Sequence, residues 1–126
     1  MSTSFSEAVL LDQCVFIPVR VQQYERVLKE QIQFFQAEGS WVDLFTTLRT
    51  YRLSTNIGQV ALQVDPTQFV RVSRRHIVNI QRVRALSGNE LFVDDTPLLV
   101  GKQYRAGLIE RLPIIRMKAT SSMAAP

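Results

Sequence analysis

The sequence predicts a mainly β domain with two short helices, on three observations. Apolar residues fall in short runs rich in Val, Ile and Phe, several of them alternating with polar residues as half-buried strands do. Turn-forming clusters separate these runs, among them Ala37-Glu-Gly-Ser40, Ser87-Gly-Asn89 and Asp94-Asp95. Only two stretches combine a helical apolar stripe with a clear start or stop.

Taken in order, Val15–Gln22 is β-branched, with Val19 and Val21 alternating against Arg20 and Gln22. Pro18 cannot donate a ladder hydrogen bond, so this strand lies at an edge or carries a bulge. Gln23–Gln31 has the residue types of a short helix but few apolar positions to hold one. Ile32–Gln36 and Trp41–Thr47 read as strands around the 37–40 turn, and Arg49–Ser54 as a third. Asn56 caps the first helix, whose Ile57, Val60 and Val64 share one face; Asp65-Pro66 ends it. Phe69–Ser73 sets Val70 and Val72 against Phe69, Arg71 and Ser73, a strand with one wet face. His76–Ile80 and Arg82–Leu86 are extended, and Leu91–Val93 and Leu98–Val100 form a hairpin. Gly101–Leu112 is the second helix, with Tyr104, Leu108 and Leu112 on one stripe and Pro113 as its stop.

At 126 residues the chain has the size of one domain. We divide it into an N-terminal extension (1–13), a folded unit (14–113) and a mobile C-terminal tail (114–126). No stretch approaches the ~18 uncharged apolar residues of a membrane helix, so membrane insertion is not expected. A lone cysteine, Cys14, fits a cytoplasmic protein and reads as a small buried hydrophobe. An enzyme is not expected. Glu38 and Asp43 lack a partnered base, and Asp94-Asp95 sits in a turn where aspartates bond their own backbone. With one histidine, His76, and one thiol there is no N/S metal site, and no cofactor is implied.

Charge is unevenly spread. Residues 1–66 hold five basic and seven acidic side chains, net −2, whereas residues 67–126 hold ten and four, net +6. Phe69–Leu86 contains Arg71, Arg74, Arg75, Arg82 and Arg84 and no acid. Such a run suits a polyanion, or else a solvated face. Five neutralised phosphates would give a slope of about −4.5 in log K against log salt. Arg74 and Arg75 are adjacent, so both could reach one ligand only from a loop. Asn79 reads as a side chain bonding its own turn, and Arg82 and Arg84 as a solvated strand face.

Phe69-Val-Arg-Val-Ser-Arg-Arg-His-Ile-Val-Asn79 is similar to a signature of the LytTR family of bacterial DNA-binding domains: Phe, x, Arg, Ile/Val, His, Arg, Ser, Tyr, Ile/Val, Val, Asn. Upstream, Ile32-Gln-Phe-Phe-Gln-Ala-Glu-Gly-Ser-Trp-Val-Asp-Leu44 resembles that family's I-x-(Y/F)-I-E-A-x-G-N-Y-V-x-I run. Downstream, Leu98-Leu-Val-Gly-Lys-Gln-Tyr-Arg-Ala-Gly-Leu108 resembles its I-P-V-S-R-R-Y-x-x-x-L end. The resemblance covers about Phe16 to Leu112. Departures are Ser73, Arg75 and His76 in the signature, Gly101 for the family's serine, and Lys102 for its arginine.

The resemblance implies an elongated antiparallel fold of several small sheets whose loops and a helix start enter successive major grooves. It places DNA contacts at Ser40 and Trp41 in the first loop, Arg74 and Arg75 in the signature, and Lys102 with Gln103 at the last helix. The implied function is sequence-specific double-stranded DNA binding by a transcriptional regulator on repeated half-sites, with a homodimer on DNA and a regulatory protein partner as further expectations. The chain has no room for a receiver domain, so it is a stand-alone regulator or a fragment, and Met1 favours the former. The altered signature motivates a rival: a protein-interaction module that keeps the fold without DNA.

Overall fold

The computed structural model describes residues 13–117. The apolar run Ala8–Leu11 and the tail from Lys118 onward lie outside the described residues. Among the described residues, ten strands and two helices follow one another. β1 (Cys14–Arg20) and β2 (Gln23–Leu28) form a hairpin. β3 (Ile32–Glu38), β4 (Trp41–Thr46) and β5 (Thr50–Leu53) precede α1 (Ile57–Gln63). β6 (Phe69–Arg71) and β7 (His76–Asn79) lead to β8 (Val83–Ser87), β9 (Glu90–Val93) and β10 (Thr96–Leu99). α2 (Arg105–Arg111) closes the domain behind a 3-10 turn at Lys102–Tyr104.

The strands form three antiparallel sheets: β1-β2, β10-β9-β8, and a central sheet ordered β5-β4-β3-β7-β6. Successive residues of a strand face opposite sides, and both sides of the central sheet are covered. One core joins Phe35, Leu44, Phe69 and Ile77 to Ile17 and Val27 of the hairpin and Ile57 and Val60 of α1. The other joins Phe34, Val70 and Val78 to Leu91, Val93 and Leu98 of the small sheet and Leu108 of α2. Asn56 caps α1 as expected, its side chain accepting from the Gln59 N–H at 2.9 Å.

Four expectations change. Gln23–Gln31 is not a helix: β2 pairs with β1, opposing Val27 to Val15 and burying Val27, and a 3-10 turn takes up Lys29–Gln31. A helix with so few apolar positions offered less burial than the hairpin does. Phe69 is not on a wet face, because the hairpin-side core covers it; only Arg71 and Ser73 keep partial exposure there. The second helix starts later than Gly101, since residues 102–104 coil more tightly than an α-helix. Arg82 and Arg84 are not merely solvated: Arg82 donates to the Glu30 carbonyl at 2.8 Å and pairs with Asp94, and Arg84 pairs with Asp95. β1 has one partner strand and its register shifts between Pro18 and Arg20, so both outcomes that Pro18 left open, an edge and an irregular ladder, are present.

Asn79 does bond its own turn, its Oδ1 accepting from the Gln81 N–H at 3.0 Å. Its Nδ2 also donates to the Lys29 and Ile32 carbonyls, at 3.0 and 2.8 Å. One fully buried side chain therefore ties the end of β7 to the entry of β3.

Candidate nucleic-acid interface

Residues 73–75 form the bend between β6 and β7, closed where the Val72 N–H donates to the His76 carbonyl at 3.0 Å. Arg71 braces the bend from beneath, donating Nε to the Ser73 carbonyl (3.1 Å) and Nη2 to the Arg74 carbonyl (2.7 Å). The link between β10 and α2 docks on the same place, because the Gly101 N–H donates to the Val72 carbonyl at 2.7 Å. This bond sets Lys102 and Gln103 beside Arg74. Gly101 is extended rather than left-handed, but a Cβ there would sit 2.9 Å from Tyr104 Cδ2. A side chain at 101 would therefore require the Tyr104 ring to shift.

The result is an open groove of about 690 Å³. Arg74, Arg75 and Gln36 line it on one side, and Pro97, Leu99, Lys102 and Gln103 on the other. Of the six residues expected to contact DNA, four line this groove. Ser40 and Trp41 lie instead at the tip of the β3–β4 hairpin, where Gly39 (φ +58°) makes the turn that a side chain would strain. Trp41 packs beneath Arg52, whose guanidinium lies 4.2 Å from the ring centroid and whose Nε and Nη2 bond the Asp43 carboxylate at 3.0 and 3.2 Å. Its indole N–H is buried with no partner among the described residues.

The five arginines of the acid-free run divide sharply. Arg71 holds the bend, and Arg82 and Arg84 are paired with aspartates of the β9–β10 turn. Arg75 donates Nη2 to Glu38 Oε1 at 2.8 Å and Nε to the Ala37 carbonyl at 3.2 Å. Only the guanidinium of Arg74 has no partner among the described residues. Lys102 and Gln103 are also exposed, and their side-chain donors have no partner there. Of the acid-free run, the fold leaves one open arginine, Arg74, beside an open lysine and glutamine among the described residues.

Sequence reasoning missed the group that secures Arg75. Gln36 stands opposite His76 in the β3–β7 register, and its Oε1 accepts from His76 Nε2 at 2.9 Å. His76 Nδ1 lies 3.1 Å from Ser73 Oγ, which also accepts from the Arg75 N–H. Gln36 Nε2 donates to Glu38 Oε1 at 3.3 Å, the same oxygen that Arg75 holds. The bonds close a ring: Ser73, His76, Gln36, Glu38, Arg75. A neutral imidazole with its proton on Nε2 satisfies every member, because Ser73 then donates to Nδ1. Burial first, and the neighbouring Arg75 charge second, hold the His76 pKa below its ordinary 6.5. The three unusual signature residues, Ser73, Arg75 and His76, are all members of this ring. No local sequence signal could have shown it, since Gln36 and Glu38 come from a strand some forty residues earlier.

Ser73 and His76 line this groove too, bonded to each other within the ring. Its exposed polar groups include the donors of Arg74, Lys102 and Gln103, set beside the exposed Leu99. The family model of the LytTr DNA-binding domain matches residues 22–113, and the chain belongs to that family, one of DNA-binding domains rather than enzymes. Among solved structures it is similar to the LytTr DNA-binding domain of a Bacillus cereus protein described as a methyl-accepting/DNA response regulator. The TM-score is 0.67 at 15% identity, over 81% of this chain and 98% of that one. A search of curated proteins finds no significant match. Among the described residues no helix is long and apolar enough to cross a membrane.

Proposed function

We propose that the protein is a transcriptional regulator that binds double-stranded DNA sequence-specifically through its 14–113 unit. Arg74 in the β6–β7 bend and Lys102 with Gln103 before α2 enter one major groove; Ser40 and Trp41 at the β3–β4 tip approach the neighbouring stretch of duplex. Arg74 reads a base edge or holds a phosphate, Lys102 supplies a point charge, and Arg75 contacts a phosphate. Two copies occupy repeated half-sites, and a protein partner in the cytoplasm governs the regulator. The observation that carries this reading is the convergence on one groove, in a LytTR fold, of three donor side chains with no partner among the described residues.

The test is duplex affinity against salt for the wild type, Arg74→Ala and Lys102→Ala. A lost phosphate contact flattens the log–log slope by about 0.9, whereas a lost base contact relaxes preference at one position by about 1–3 kcal/mol and leaves the slope alone. Lys102→Ala is expected to do the first and Arg74→Ala the second. Absence of binding even at low salt would overturn the reading in favour of a protein-interaction module.

A further inference from the structure

We infer that Glu38 is a specificity-determining residue: it holds Arg75 against the β3–β4 hairpin and so keeps that charge off the phosphates of non-cognate DNA. The inference rests on the DNA-binding reading above and adds a role for an acid in the middle of the basic face.

The geometry is that of a tether. Arg75 and Arg74 are neighbours on the same bend, yet one guanidinium is bound twice and the other has no partner among the described residues. The Arg75 main chain is fixed as well, its carbonyl accepting from the Ala37 N–H at 2.8 Å. Glu38 is itself aimed, because Gln36 Nε2 bonds the oxygen that receives Arg75. Both heads are more than two-fifths exposed, so solvent screens the pair and it is weak. A weak tether is what discrimination of this kind requires. On random duplex the phosphate must compete with Glu38 for Arg75, and the competition lowers affinity. On a matched site, contacts from Arg74 and Gln103 hold the bend close enough for Arg75 to exchange Glu38 for a phosphate.

Glu38→Gln removes the charge from an exposed position and leaves the fold in place. Affinity for random duplex and for a selected site is measured against salt for the wild type, Glu38→Gln, Arg75→Ala and the double variant. Glu38→Gln is expected to bind random duplex about two- to fivefold more tightly, the range a freed surface pair allows. Its salt slope should steepen by about 0.9, the mark of one added phosphate contact. On the selected site the gain is smaller, so the ratio of specific to random affinity falls. In the Arg75→Ala background the Glu38 substitution should change neither slope nor ratio. A gain that persists without Arg75, or that is equal on both duplexes, would show plain repulsion between Glu38 and DNA and overturn the inference. A wild type that binds no duplex would overturn the DNA reading itself, and this inference with it.

Discussion

Replacing Asn79 by leucine should cost the domain about 3–5 kcal/mol. The side chain is fully buried and makes three hydrogen bonds, two as donor to the Lys29 and Ile32 carbonyls and one as acceptor from the Gln81 N–H. Each such bond is worth about 1 kcal/mol net, and a main-chain group left unpaired in the interior costs about 1–3 kcal/mol. Three bonds lost together set the lower bound near ~3 kcal/mol, and the Lys29 carbonyl, which also accepts from the Ile32 N–H, keeps a partner. Partial relaxation of the two 3-10 turns that Asn79 touches, Lys29–Gln31 and Ile80–Arg82, keeps the total below the sum of the worst cases. Against the roughly 5–15 kcal/mol that holds a domain of this size, that is a large fraction. Urea unfolding followed by the fluorescence of Trp41, the one tryptophan, reads the change. Asn79→Asp is the informative control. It keeps an acceptor for Gln81 but turns a carboxylate toward two carbonyls, so at neutral pH it should be at least as damaging as leucine. Acidification, which restores one donor, should narrow its deficit relative to leucine. A loss under about 1 kcal/mol for the leucine variant would refute the view that this side chain clamps β7 to the entry of β3.

Two further predictions concern the groove. His76 is favoured as neutral in the fold, with its pKa held below 6.5 first by burial and then by Arg75, so its contribution to stability is complete above about pH 6.5 and is lost as pH falls through the folded value. Urea midpoints of the wild type should therefore drop more between neutral and mildly acidic pH than those of His76→Gln; equal drops would refute this. Gly101→Ala places a methyl 2.9 Å from the Tyr104 ring, and moving that half-buried ring should cost about 1 kcal/mol in the same unfolding assay. An unchanged midpoint would mean that the ring swings aside freely.

Much of this fold is legible in the sequence, because its strands alternate and its turns are marked by Gly39, Gly88 and the Asp94-Asp95 pair. The three LytTR-like blocks supplied what periodicity cannot, the assembly of those strands into several small antiparallel sheets, which the structure resolves as three. Where local reading failed, a partner distant in sequence decided the outcome. The segment after Gln22 pairs as a strand because β1 lies beside it, and Phe69 is buried because a hairpin more than forty residues earlier covers that face. The site shows the same division. Arginine types and their loop position were readable at 74 and 75, and the structure confirms the bend that lets both project from one place. Which arginine is open was not readable, because Glu38, Asp94 and Asp95 reach their partners only across the folded sheets. Gln36 was hidden for the same reason, its bond to His76 depending on the β3–β7 register.

The central claim is that the β6–β7 bend and the start of the last helix read DNA sequence together. Selection of binding sites from random duplex DNA at two salt concentrations, with the Arg74→Ala/Lys102→Ala protein in parallel, tests it most directly. The account predicts an enriched motif for the wild type that survives the higher salt and disappears in the double variant. A motif retained by the double variant would contradict the assigned surface, and salt-sensitive binding with no enrichment at all would contradict sequence reading.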